Sequence, residues 1–177
     1  MQSIQTVSEN TIYVGASDRR LAKFENLFPI PRGVSYNAYV ILDEKTALLD
    51  TADASVGAQF LENVAAALDG RKLDYLIVDH MEPDHAAMIE AVLVRWPDLR
   101  LVVNAKTLPM LKMYFPTDNA AIDDALVVKE GDTLDLGKHK LTFVMAPMVH
   151  WPEVMMTFDT TTGTVFSADA FGTFGAL

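Results

Sequence analysis

Four side chains able to hold a cation, His80, Glu82, Asp84 and His85, stand within six positions of one another in Asp79-His80-Met81-Glu82-Pro83-Asp84-His85. Two imidazoles and two carboxylates suit iron or zinc better than copper(I), which favours thiolate and thioether sulfur. The run Tyr75-Leu76-Ile77-Val78 before them reads as a buried strand, and Ala86 to Trp96 after them as a helix. Packing alone rarely calls for so many charges at such a junction.

Two further donors recur at the same kind of place. His150 follows the strand ending near Met145, and Asp169 follows the strand Thr164 to Ser167. Open sheets gather their sites at strand carboxyl ends, so the three loops are expected to converge on one cleft. His139, in a Gly-Lys-His-Lys turn, reads as solvated.

The elements that must position these residues follow from apolar patterning and turn chemistry. Thr11 to Val14 reads as a strand, and Gly33 to Leu42 with Thr46 to Leu49 as a hairpin. Ser55 is the expected cap of a helix over Val56 to Leu68 that Gly70 stops. Leu101 to Val103 is a strand, Thr107 and Pro109 open a short helix that Pro116 closes, and Thr117 to Asp124 is loop-like. Ala125 to Lys129 and Thr133 to Leu136 read as strands around the turn Glu130-Gly131-Asp132. Lys140 to Met145 follows, then a hairpin of Val154 to Phe158 and Thr164 to Ser167. Hairpins mixed with strand–helix units give an α/β or α+β class with a mixed sheet.

Composition narrows the function. A chain of 177 residues, 50% hydrophobic and 21% charged, can bury one ordinary core. The net charge of −10 argues against nucleic acid, and no apolar run approaches the ~20 residues of a membrane span. Without cysteine there is no disulfide, iron–sulfur cluster or thiolate zinc site. The N-terminus lacks the basic and apolar regions of a signal peptide, so the cytoplasm is expected. The nine methionines read as core filling, there being no Met-x-x-Met array.

His80-Met81-Glu82-Pro83-Asp84-His85 resembles the H-x-H-x-D-H motif of the metallo-β-lactamase-like fold, with Glu82 in place of the second His. That replacement is similar to the flavodiiron proteins (A-type flavoproteins), whose pattern is H-x-E-x-D-H, then a distant His, then an Asp. Here 64 residues separate His85 from His150, and 18 separate His150 from Asp169. Gly33 to Tyr39, Ala146-Pro147 ahead of His150-Trp151-Pro152, and Ser167 to Gly172 are similar too.

The resemblance implies an αββα sandwich of metallo-β-lactamase type, incomplete at the C-terminus, with residues 1–177 forming the N-terminal part of its di-iron domain. It implies that His80, Glu82 and His150 hold a first iron, that Asp84 and His85 hold a second, and that Asp169 bridges them. A carboxylate can bridge because each oxygen takes one metal. In the family such a centre reduces dioxygen to water or nitric oxide to nitrous oxide. Electrons come from FMN in a flavodoxin-like domain or from rubredoxin. Members also carry a later histidine and that flavin domain, for which this chain has no residues, so FMN is expected only in the complete protein. The chain alone is expected to bind metal with little turnover, and to self-associate through an exposed sheet edge as a homo-oligomer. The alternative is a dinuclear zinc hydrolase of the same fold, against which Glu82 speaks.

Some residues leave two readings open. Trp151 is either a wall limiting water access to His150 or a half-buried core residue. Phe171 and Phe174 fit loop-anchor packing better than the lining of a gas pocket. Asp50 fits a solvated strand end better than a support for a ligand loop.

Overall fold

The computed structural model describes residues 3–115 and 120–177. The expected helix stop at Pro116 and the first residues of the loop expected from Thr117 lie outside them. Alternation along the strands decides the layers. In a mixed seven-stranded sheet the strands run in the order Gln5–Ser8, Thr11–Tyr13, Tyr39–Leu42, Thr46–Leu49, Tyr75–Ile77, Arg100–Asn104, Leu126–Val128, the last four parallel. Val40, Leu48, Leu76, Leu101 and Val103 point to one face, and meet Phe60, Val64 and Leu68 of the helix Gly57–Leu68 and Ile89 and Val92 of the helix Ile89–Arg95. Ile41, Leu49, Ile77 and Val102 point to the other, and meet Leu141, Phe143, Met155 and Phe166 of a second sheet. A two-residue period thus builds two cores from one set of strands.

The second sheet is an antiparallel meander of Thr133–Asp135, Lys140–Met145, Met155–Asp159 and Thr164–Phe166. Its outer face carries the exposed Val144 and Val165, and among the described residues Thr164–Phe166 pairs on one side only. The layers are helices, sheet and sheet, the α/β architecture expected.

Several boundaries differ from the sequence reading. The expected hairpin strand Gly33 to Leu42 breaks at Asn37-Ala38, and Val34–Tyr36 pairs instead with Ala16–Asp18. Asp53 rather than Ser55 caps the entry to the long helix, accepting from the Ser55 N–H. Leu126–Val128 and Thr133–Asp135 do not pair with each other, since each belongs to a different sheet. The helix expected over Ala86 to Trp96 forms as two pieces, Pro83–Ala86 and Ile89–Arg95, and at the break the Met88 N–H donates to Thr51 Oγ1. Pro83 fits the first turn, where its missing N–H costs no hydrogen bond. Among the described residues no helix is long and apolar enough to cross a membrane.

His139 is buried, not solvated. It lies 1% exposed with Nδ1 2.8 Å from Asp159 Oδ2, and Asp159 also accepts from Thr162 Oγ1 and the Thr161 N–H. Burial by itself would raise the Asp159 carboxyl, but these donors outweigh it and hold it below the ordinary carboxylate range. A depressed folded value gives stability that is complete above the unfolded value of ~3.9 and is lost as pH falls through the folded one. Asp159→Asn is therefore expected to cost about 1–3 kcal/mol at pH 7 and to flatten the loss of stability below about pH 4. Urea unfolding across that pH range checks both.

Candidate metal centre

All six sequence-predicted donors come together where the two sheets share an end. The large sheet delivers His80, Glu82, Asp84 and His85 from the exit of Tyr75–Ile77, and the small sheet delivers His150 and Asp169 from the exits of two of its strands. One tie joins the sheets beside the site: Asp79 accepts from the Met155 N–H at its carbonyl and from Thr157 Oγ1 at its carboxyl.

The short helix sorts the motif into two groups. Glu82 stands at its N-cap in extended conformation, while Asp84 and His85 occupy its first turn. His80, Glu82, His150 and Asp169 offer donor atoms all within 4.8 Å of one another, and so do Asp84, His85 and Asp169. Asp169 belongs to both groups. Its Oδ2 lies 3.3 Å from His80 Nε2 and 3.1 Å from His150 Nε2, while its Oδ1 lies 2.8 Å from His85 Nε2. Glu82 Oε2 sits 3.1 Å from His80 Nε2 and 2.8 Å from His150 Nε2.

Each inner imidazole is fixed from behind by a carboxylate. His80 Nδ1 meets Glu153 Oε1 at 2.7 Å, and His85 Nδ1 meets Asp50 Oδ2 at 3.0 Å. A carboxylate can only accept, so both Nδ1 atoms carry hydrogen and both Nε2 atoms turn to the cleft. The Met81 N–H also donates to Glu153 Oε1, and the Asp79 N–H to Asp50 Oδ1. Asp50 is buried, correcting its reading as a solvated strand end. Glu153 went unnoticed in the sequence, although an acidic residue three places beyond His150 in His-Trp-Pro-Glu was a usable signal.

Electrostatics show what the site lacks. Burial alone would lower His80, but hydrogen bonds to Asp169, Glu153 and Glu82 raise it to about 11. His85 is likewise raised against its burial by Asp169 and Asp50. Burial lifts Asp84 to about 6. Asp84 Oδ1 is buried with no hydrogen-bond partner. Glu153 Oε2, behind His80, is likewise buried without a partner, so two carboxylate oxygens of the cluster stay unmatched. Nitrogen and oxygen donors in two groups that share one carboxylate fit a pair of cations.

A cavity of about 450 Å³ opens over the donors, with Glu25, Phe24, Phe28, Tyr36 and Phe174 among its walls. Trp151 is half-buried and also walls the site, its ring edge-on to His80 at 5.3 Å and to His150 at 6.2 Å. Phe174 both anchors a loop, against Phe24 at 5.1 Å and Phe28 at 6.3 Å, and lines the cavity, while Phe171 is 95% exposed.

A family model described as ODP family beta lactamase matches residues 34–176. A diflavin flavoprotein of Thermosynechococcus vestitus is 38% identical over 169 residues, covering 94% of this chain and 28% of the relative. An anaerobic nitric oxide reductase flavorubredoxin of Klebsiella pneumoniae is 37% identical, covering 94% of this chain and 34% of the relative. The structure of a rubredoxin oxygen:oxidoreductase from Desulfovibrio gigas superposes with a TM-score of 0.92 at 31% identity, over 99% of this chain and 43% of that one. This chain therefore spans about a third of the curated relatives it matches.

Since His80 and His85 are raised above the ordinary imidazole value, cobalt(II) added to the metal-free chain is expected to release protons and to bind more tightly as pH rises. Glu153→Gln removes a carboxylate from His80. It should shift that dependence to lower pH and weaken high-pH binding by about 10- to 100-fold. Indicator-dye titration and chelator competition measure the two effects.

Proposed function

The chain belongs to the ODP family of beta-lactamases, and from that premise we propose that residues 1–177 are the metal-binding part of a flavodiiron oxidoreductase that reduces dioxygen to water, nitric oxide to nitrous oxide, or both. The observation that carries this reading is Asp169, whose two oxygens face two different donor groups. His80, Glu82 and His150 would hold one iron and Asp84 and His85 the other, with Asp169 between them. Two such irons would supply the electrons and the binding positions for a diatomic gas.

The chain's own residues do the rest. Glu153 and Asp50 orient the two inner imidazoles through their Nδ1 hydrogens. Phe24, Phe28 and Phe174 give the cavity an apolar wall, which suits a small apolar gas and limits water. Glu82 adds a carboxylate where a hydrolytic zinc site would favour nitrogen, and two of the three relatives compared are named as a nitric oxide reductase and an oxygen oxidoreductase. Neither point favours the zinc hydrolase.

In the complete protein we place FMN outside these residues and take a flavodoxin-like domain or rubredoxin as the electron donor. Homo-oligomer formation and a cytoplasmic location belong to the same reading.

Anaerobic reconstitution with ferrous iron is expected to give about two irons per chain, with slow gas consumption unless an electron donor is added. Asp169→Ala should retain less than half of that iron while keeping its unfolding midpoint close to that of the metal-free parent. Full iron retention in the variant would remove the bridging role, and an iron-free parent would remove the reading.

A further inference from the structure

Three imidazoles face the cleft, and they are not held alike. His80 and His85 are buried, and each has a carboxylate on its Nδ1, Glu153 at 2.7 Å and Asp50 at 3.0 Å. His150 has neither support. Its side chain is 55% exposed, and among the described residues the carboxylates that pair with it, Glu82 and Asp169, both meet its Nε2 on the cleft side. A ring left so open can turn about its side-chain bonds, yet its Nε2 reaches a cation over only a narrow range of those angles.

What lies against His150 instead is Trp151. The indole stands edge-on to His150, with ring centroids 6.2 Å apart and planes at 70°, and edge-on to His80 at 5.3 Å and 88°. Favourable ring pairs take such separations and angles, the electron-poor edge of one ring meeting the electron-rich face of the other. His80 cannot yield, because Glu153 fixes it from behind. The indole is thus braced on a rigid ring and steadies an exposed one. Backbone bonds keep it there: the Trp151 carbonyl accepts from the Met148 N–H at 2.8 Å and from the Val154 N–H at 3.4 Å, so the loop carrying His150 closes on Trp151 itself. Keeping water from His150 is not the indole's part, since that imidazole stays more than half exposed.

We propose that Trp151 is the positioning residue of His150, aiming its Nε2 at the cation assigned to His80, Glu82 and His150. This rests on the two-cation reading above. A carboxylate on Nδ1 aims a ring and also makes it a stronger donor, whereas an aromatic edge only aims it. His150 is therefore the weaker of the two imidazole donors to that cation, and its hold depends on packing that Trp151 supplies.

The test is a double-mutant cycle in the 177-residue chain, with cobalt(II) as the metal. The parent and Trp151→Leu should both take up two cobalt ions, the variant binding one of them about 10-fold more weakly and with altered visible absorption. Trp151→Phe keeps an aromatic edge and should lose no more than about 3-fold. In a His150→Ala background, where the ring to be aimed is gone, Trp151→Leu should cost nothing further. If Trp151→Leu does not fold, the cycle is read with Trp151→Phe, whose smaller loss must likewise vanish without His150. A loss equally large with and without His150 would mark the indole as structural only and overturn the proposal. So would cobalt affinity and absorption unchanged in both Trp151 variants. Either result leaves the two-cation reading intact, whereas a parent chain that takes up no cobalt overturns both.

Discussion

Burying several carboxylates around so few imidazoles is the constraint on which the rest of this structure depends. His80 is fully buried, Glu82 and His85 nearly so, and Asp84 keeps a buried oxygen without a partner. Charges in such surroundings are tolerated only when opposite charges meet them at close range. The fold meets that demand by bringing two sheets to a common end, so that His80 and His85 each find a carboxylate on both sides. Asp79 stitches the sheets together just behind the ligands, through Met155 and Thr157. Its own carboxyl is pushed well above the ordinary range by burial and by the Asp50 charge, so it adds little to the negative excess.

The same constraint accounts for four of the eight non-glycine positions with positive φ among the described residues. Asp50, Met148, Ala168 and Phe171 all hold positive φ without being glycine, and each lies in a loop that carries or supports a donor. Asp50 needs its turn to present one oxygen to His85 and the other to the Asp79 N–H. Ala168 immediately precedes Asp169, in a loop closed by Ser167 Oγ on the Ala170 carbonyl. Packing of the tail on the 17–35 region holds that loop, through the Arg32 and Ser35 contacts and through Phe174. Local conformations that would not persist alone are maintained by contacts made elsewhere.

How much of this was legible in the sequence depended on whether the signal was local. The donor motif could be read because its spacing and its strand-then-helix flanks lie within one short stretch, and His150 and Asp169 because they repeat the strand-exit position. The sequence led to one ordinary core; the runs Tyr39–Leu42 and Leu101-Val102-Val103 are apolar throughout, and only the packing on their two faces divides the core in two. Partners fixed only by tertiary packing were not legible. His139 looks solvated between two lysines, yet Asp159, 20 residues away, draws it inside. Asp50 looks like a strand-end residue until His85 is laid beside it. Leu126–Val128 and Thr133–Asp135 look like a hairpin, but they pair in separate sheets that face each other across one core, in which Val128 and Leu134 both lie. Glu25 has no sequence signal, since only the anchorage of Phe24 and Phe28 on Phe174 brings it to the cavity.

The carboxylate count also bears on which metal chemistry the site can support. Glu82, Asp84 and Asp169 face the cleft, and Glu153 and Asp50 stand directly behind the imidazoles. Two ferrous ions bring fewer positive charges than these five carboxylates bring negative ones, while two ferric ions bring more. A site balanced between those states meets neither with a large uncompensated charge, so moving electrons in and out costs little electrostatic reorganisation. A pair of zinc ions has no second oxidation state to exploit such a balance. A nitrogen-rich set with fewer carboxylates would serve it better, by leaving more positive charge to polarise a bound water. The replacement at position 82 therefore does more than exchange one donor for another. On the proposed two-iron reading it would place the cluster in the charge range in which a redox-active pair can cycle.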